Sequence, residues 1–175
     1  MSTIRIELDQ MMYPAAPRDA VWPALERFHV DMDRDVSSFF HLPEKSTWAQ
    51  EIAAIQPQLA ERIPQIDTFL HLGIGGSGLG AETIVRALGA ANAPTFHFLD
   101  NIDPDYLWHV LEQVSQEKTL LYVVTKSGTT METLAQFAFL HQWLEKKLGP
   151  EEAKKRLVFC TDPQKGALRQ LAGQW

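Results

Sequence analysis

Cysteine is nearly absent from this sequence, which contains only Cys160 among its 175 residues. No disulfide can form within the chain, and a lone thiol suits a reducing compartment. Long apolar runs are also missing, since none approaches the roughly 18 residues that cross a bilayer, and residues 1–7 lack the apolar core of a signal peptide. We therefore expect a cytoplasmic protein that has no membrane partner.

Basic residues are scarce as well. Lysine and arginine total 16 against 22 acidic residues, which gives a formal net charge of -6. Proteins that bind nucleic acids broadly must neutralise many phosphates, so this balance argues against a nucleic-acid partner. A small anion is compatible with it, because a few backbone amides and one lysine bind such an ion locally. The cysteine and histidine spacing indicates no metal site.

The first third of the chain differs from the rest. Residues 1–66 are rich in proline, charge and tryptophan and show no regular alternation of elements. Apolar residues recur at helical spacing in residues 20–30 and again in residues 48–63, where Pro57 and Pro64 interrupt or end the pattern. We expect a helical N-terminal extension, residues 1–66, that packs against a main domain of residues 67–175.

Short apolar runs alternate with helical patterns in this main domain. The pattern predicts strands at residues 68–72, 95–99, 119–124 and 156–160, and helices at about 79–88, from 103, 130–148 and 165–171. Four such strand–helix units predict an α/β fold with a doubly wound parallel sheet. In the flavodoxin-like order 2-1-3-4, a ligand is expected between the carboxyl ends of strands 1 and 3.

Glycine is concentrated after strand 1. Five of the ten glycines lie in residues 73–80, where Ser77 adds a hydroxyl. Glycines let a backbone turn sharply and approach a ligand closely, and the following helix start favours an anion. The alternative is a tight turn with Ser77 as the helix N-cap. Five glycines exceed what a turn and a cap require, so we favour ligand binding.

The loop after strand 3 combines hydroxyls with a cation. It consists of Thr125, Lys126, Ser127, Gly128, Thr129 and Thr130. Side-chain donors, backbone donors and a positive charge at a helix start suit a dianionic phosphate. A capping box formed by Thr129 and Glu132 explains those two residues and is compatible with phosphate binding.

A dinucleotide site is the competing interpretation. Residues 73–78 match G-x-G-x-x-G after a strand, and Asp100 ends strand 2 where such folds place a ribose-binding acid. A dinucleotide pyrophosphate would occupy the first loop and needs no hydroxyl-rich pocket after strand 3. We therefore expect no cofactor, and an NAD-dependent oxidoreductase is the weakest alternative.

Three segments carry a resemblance to a known family: HLGIGGSGLG at residues 71–80, VTKSGTTMETL at 124–134 and CTDPQKGALR at 160–169. In this order they resemble the sugar isomerase (SIS) domain, and more closely the N-terminal part of the glucose-6-phosphate isomerase family, over about residues 67–172. The resemblance implies that residues 125–130 hold a substrate phosphate and that Gly76 and Ser77 contact the sugar phosphate. Thr125 stands where a serine is common.

The resemblance also implies that the catalytic groups lie elsewhere. Family members interconvert glucose 6-phosphate and fructose 6-phosphate through an enediol, as homodimers whose second SIS domain supplies the catalytic glutamate, histidine and lysine. We expect this chain to bind the sugar phosphate, to end before that second domain and to be inactive alone, with no catalytic residue of its own. His71 and His97 are interpreted as core histidines, and Glu82 and Glu132 as acids in first helical turns. The main alternative is a stand-alone SIS module that senses a phosphosugar.

Overall fold

The computed structural model describes residues 48–61, 65–90 and 93–174, together with positions 23, 26 and 27. Two compact units comprise Met1–Gln56 and Pro57–Trp175. The predicted helix over residues 20–30 lies mostly outside the described residues, although its three described positions are helical. Helix α1 covers Trp48–Ala60 with Pro57 inside it, so the predicted interruption there is wrong. The predicted domain boundary near residue 66 stays a prediction.

The predicted sheet is confirmed in strand number, direction and order. Its strands are β1 Thr68–Leu72, β2 Thr95–Leu99, β3 Thr119–Thr125 and β4 Leu157–Thr161. All three pairings are parallel, and the order is β2-β1-β3-β4. The observed ends of β3 and β4 differ from the predicted ends by one residue, because the ends of secondary-structure elements are less regular than their centres.

Helices connect these strands, and several begin or end close to the predicted residues. They are α2 Gly76–Leu88, α3 Pro104–Leu111, α4 Met131–Leu148, α5 Pro150–Lys154 and α6 Ala167–Ala172, with a 3-10 turn at Gln116–Lys118. The sequence did not predict α5 or the 3-10 turn, because segments this short show no helical period. Helix α2 begins three residues before its predicted start.

Leucine and valine side chains on one face of the sheet form the core. Leu70, Leu72, Leu121 and Val123 are fully buried there and belong to one cluster with Leu140 and other residues of α4. Side chains alternate along a strand, so Phe69 and His71 lie on the opposite face, where the Ser77 carbonyl of α2 contacts the His71 imidazole. Helices therefore flank the sheet on both sides. Within the described residues, no helix is long and apolar enough to span a membrane.

Candidate functional site

The two unusual loops leave the same edge of the sheet from neighbouring strands. In the β1–β3 pairing, Leu72 lies opposite Val123, and each strand ends within two residues of that pair. The chain then enters the glycine-rich loop after β1 and the hydroxyl-rich loop after β3. This is the switch point that the order 2-1-3-4 predicted.

Backbone geometry explains three of the five clustered glycines. Gly75 has a φ of 57°, a left-handed conformation that side chains disfavour. A Cβ on Gly73 would lie 2.9 Å from the Ser77 carbonyl oxygen, and one on Gly78 would lie 2.6 Å from the Gly73 carbonyl oxygen. Gly76 and Gly80 have open space around their Cβ positions. Packing within the chain thus does not require glycine at Gly76, as expected for a backbone that a ligand approaches.

Ser77 lies inside helix α2 and does not cap it. The N-cap is Gly75, with no side-chain cap hydrogen bond, so the alternative in which Ser77 caps the helix is wrong. The left-handed turn at Gly75 starts the helix before the serine, and the Ser77 amide donates to the Ile74 carbonyl at 3.2 Å. Gly76 and Ser77 are therefore the first residues of α2, where helix amides and partial positive charge favour an anion.

A buried histidine holds the start of α2 against the sheet. His71 is 2% exposed and lies beside the rings of Phe98 and Tyr122, with centroid distances of 5.0 and 5.1 Å. Its Nε2–H donates to the Ser77 carbonyl at 2.8 Å, because a carbonyl can only accept. Burial lowers the pKa of His71 and so favours the neutral ring. The interpretation of His71 as a core histidine with a satisfied hydrogen bond is confirmed. His97 is half-buried, and burial lowers its pKa too.

The loop after β3 exposes its cation and two of its hydroxyls. Lys126, Ser127 and Thr129 are exposed, whereas Gly128 is buried with a φ of 67°. The Ser127 Oγ accepts hydrogen bonds from the Thr129 amide at 3.2 Å and the Thr129 hydroxyl at 3.0 Å. Lys126 forms no ion pair with a described residue, so its charge is available to an anion.

A hydrogen bond between the Thr125 and Thr130 hydroxyls joins the two ends of this loop. Their hydroxyl oxygens are 2.8 Å apart, and Thr125 is 2% exposed. Helix α4 has Thr130 as its N-cap residue, without a side-chain cap hydrogen bond, so the predicted capping box of Thr129 and Glu132 is wrong. The Thr129 hydroxyl instead donates to Ser127.

The two predicted first-turn acids have different positions. Glu132 lies in the first turn of α4, as expected. Glu82 does not lie in the first turn of α2, because that helix begins earlier than predicted. Its carboxylate forms an ion pair with Arg86 at 2.7 Å.

A third loop, between β4 and α6, packs against the loop after β3. Gly166 has a φ of 99°, and a Cβ there would lie 3.0 Å from the Gly128 Cα. The Leu168 amide donates to the Gly128 carbonyl at 3.1 Å. None of these contacts between the two loops was predicted from the sequence. The available signal was a glycine at the start of a predicted helix, within the third segment that carries the resemblance.

Two cavities lined by described residues lie away from these loops. A cavity of about 560 Å³ at the opposite edge of the sheet is lined by Asp67, Thr95 and Lys118, among others. An apolar cavity of about 410 Å³ lies between α3 and α4. Neither is lined by a predicted phosphate-binding residue. The described residues also contain no group of three or more His, Cys, Asp or Glu side chains that could hold a metal ion.

Comparison with known proteins gives one consistent family. The phosphoglucose isomerase family model matches residues 56–168. Glucose-6-phosphate isomerase from Carboxydothermus hydrogenoformans is 40% identical over 144 residues, which cover 77% of this chain and 30% of that protein. The corresponding enzyme from a strain of Thermus thermophilus is 37% identical over 131 residues, 75% of this chain and 30% of that protein.

Solved structures agree in fold as well as in sequence. A glucose-6-phosphate isomerase from Chlamydia trachomatis matches with a TM-score of 0.60 and 31% identity over 69% of this chain and 23% of that one. This chain spans about 30% of the length of the curated relatives described above. The match covers more than half of the present sequence and both candidate loops. The chain belongs to the phosphoglucose isomerase family.

Proposed function

We propose that this chain is the N-terminal, phosphate-binding part of a glucose-6-phosphate isomerase. The complete protein would interconvert glucose 6-phosphate and fructose 6-phosphate through an enediol, without a cofactor. The observation that carries the proposal is the placement of the two loops on neighbouring strands β1 and β3, at one edge of the sheet. The names of the relatives favour this function over a phosphosugar-sensing module.

The proposed phosphate site uses charge and donors from both loops. Lys126 supplies the cation, and the exposed hydroxyls of Ser127 and Thr129 supply donors. Gly76 and Ser77 contribute the backbone amides at the start of α2, the helix that follows the neighbouring strand β1. A dianionic phosphate is stabilised by such charge-assisted hydrogen bonds and by the helix dipole. The bound phosphate would then orient the sugar for proton transfer between C1 and C2.

Proton transfer itself requires a general base within hydrogen-bond reach of the C1 and C2 protons. Two candidates have structural roles, since His71 donates to Ser77 and Glu82 pairs with Arg86. We propose that a second SIS domain supplies the base, and that the complete enzyme is a cytoplasmic homodimer. In this proposal, residues 1–66 form the helical extension and residues 67–175 the first SIS domain.

A double variant, Lys126→Ala with Ser127→Ala, tests the phosphate site. Loss of one charged hydrogen-bond donor costs about 1.5–3 kcal/mol, so affinity for inorganic phosphate and fructose 6-phosphate should fall at least about tenfold in calorimetric titrations. Lys146→Ala is the matched control. It removes the same charge from the last turn of α4, about 22 Å along the helix from Met131, and should leave both affinities unchanged.

Titration with NADH separates this proposal from the dinucleotide interpretation. We expect fructose 6-phosphate to bind and NADH not to bind. NADH binding that survives the double substitution, with no phosphate binding by the unsubstituted chain, would contradict the proposed function.

A further inference from the structure

We propose that Gly166 is a positioning residue for phosphate binding, because the absence of a side chain there sets the shape of the turn formed by Ser127 and Gly128. This inference rests on the proposed function of that turn. It adds a residue from a third strand–helix connection, outside the glycine-rich loop after β1 and the hydroxyl-rich loop after β3.

The contact between the two loops leaves no room for a side chain. A Cβ on Gly166 would overlap the Ser127 carbonyl oxygen and would lie 3.0 Å from the Gly128 Cα. In the opposite direction, a Cβ on Gly128 would lie 3.0 Å from the Thr161 hydroxyl oxygen and 3.2 Å from the Gly166 Cα. Both close partners at Gly166 are backbone atoms, which cannot rotate away as a flexible side chain can. The two glycines therefore fit together only without side chains.

Hydrogen bonds connect the same two loops. The Leu168 amide donates to the Gly128 carbonyl at 3.1 Å, which ties the start of α6 to the turn. The Asp162 carboxylate accepts from the Gln164 amide at 2.8 Å and the Lys165 amide at 3.1 Å, which folds the chain just before Gly166. The loop after β4 is thus held in shape by its own hydrogen bonds and supports the loop after β3.

A displaced turn would alter the groups that bind phosphate. The Ser127 carbonyl that a Cβ at Gly166 would push belongs to the residue whose hydroxyl accepts from Thr129. A shift there moves Ser127 relative to Lys126 and to the first residues of α2. Small displacements of binding groups cause large losses of affinity or rate, because hydrogen bonds weaken steeply with distance and angle. Gly166→Ala should therefore weaken phosphate binding at least about tenfold.

Gly149→Ala provides a matched control for backbone strain. Gly149 has a φ of 78°, and a Cβ there has open space around it. It lies between α4 and α5, at the end of α4 opposite the β3 loop. Both substitutions place alanine in a left-handed conformation, so both lower the free energy of unfolding. Only Gly166→Ala also moves the turn.

The experiment measures the affinity for inorganic phosphate and for fructose 6-phosphate, and the free energy of unfolding, in the unsubstituted chain and in both variants. We expect Gly166→Ala to lose at least tenfold in both affinities and Gly149→Ala to stay within twofold. Equal affinities in the two variants would overturn the inference. If the unsubstituted chain bound neither probe, the proposed function would fail instead, so the two failures are distinguishable.

Asp162 offers a second test should Gly166→Ala not fold. Asp162→Ala removes the carboxylate that holds the turn before Gly166, whereas Asp162→Asn keeps an oxygen acceptor for the Gln164 and Lys165 amides. We expect a severalfold loss of phosphate affinity in Asp162→Ala and recovery in Asp162→Asn. Unchanged affinity in Asp162→Ala would count against a positioning role for this loop.

Discussion

Single residues of this domain connect the sheet to the loops at its edge. His71 is the clearest case, because its side chain is buried beside Phe98 and Tyr122 while its Nε2–H donates to the Ser77 carbonyl. This hydrogen bond holds the first turn of α2. Burial favours the neutral form of the imidazole. The stability of the loop therefore depends on the protonation state of His71.

We expect the chain to lose stability in acid through His71. Burial lowers its pKa below the ordinary value of 6.5, so the unfolded chain binds a proton at a higher pH than the folded chain does. The stabilisation is complete above about pH 6.5 and decreases as the pH falls through and below that value. Urea unfolding at pH 7.5 and 5.5 should show a smaller decrease in His71→Gln, which keeps a donor but cannot titrate.

Burial also lowers the pKa of His97. The same urea experiment on His97→Gln therefore measures how much of the acid-induced loss of stability comes from His97. If the acid-induced loss is identical in the unsubstituted chain and in His71→Gln, the assigned role of His71 is wrong.

A core leucine should matter far more than an exposed one. Leu70 is fully buried in the cluster between the sheet and α4, whereas Leu88 at the end of α2 is 78% exposed. Truncation of a buried leucine leaves a cavity, so Leu70→Ala should lower the free energy of unfolding by about 2–5 kcal/mol. Leu88→Ala should change it by less than about 0.5 kcal/mol. Denaturant titrations of the two variants provide the comparison, and similar losses would contradict the assigned core.

At the scale of secondary-structure elements, the N-cap residues of α3 and α4 have different roles. Asp103 is the N-cap of α3 and accepts from the Asp105 amide at 2.9 Å and the Tyr106 amide at 3.2 Å. Thr130 occupies the same position in α4 without capping, because its hydroxyl faces that of Thr125. The start of α3 is thus stabilised locally, whereas the start of α4 depends on contacts within the candidate site.

Asp103→Ala should therefore lower the free energy of unfolding by about 0.5–2 kcal/mol, the usual cost of losing an N-cap acceptor. Asp103→Asn keeps an acceptor oxygen and should recover most of that loss. Thermal or urea unfolding measures both. An alanine variant as stable as the asparagine variant would show that the cap contributes nothing.

At the scale of the whole molecule, binding and catalysis are expected to separate. The chain aligns with about 30% of its relatives' length, and the groups of its two loops are proposed to bind phosphate and not to transfer protons. We expect it to bind fructose 6-phosphate without producing glucose 6-phosphate in a coupled assay. Turnover by this chain at a typical enzyme rate, about 10 s⁻¹, would show that one of its own residues acts as the base.

The sequence alone determined the fold class, the strand order and the sheet edge from which the two candidate loops leave. The apolar run of β3 is buried on one face and partly buried on the other, and this pattern depends only on residues adjacent in sequence. Glycine and hydroxyl clusters marked the two loops for the same reason, since each is continuous along the chain. Helix boundaries were less predictable. Glycines obscured the start of α2. At the start of α4, the Thr130 hydroxyl contacts the hydroxyl of Thr125, five residues earlier, and does not cap the helix.

Only the tertiary structure decided which residues support those loops. Gly166 lies nearly forty residues beyond Gly128 in sequence, and no local pattern relates their conformations. They meet because β4 pairs with β3 and brings the two connections together at one edge of the sheet. His71 likewise acquires its role from Ser77, Phe98 and Tyr122, which three different elements supply. Contacts between segments distant in sequence arise from strand pairing and packing, and the folded chain alone contains them.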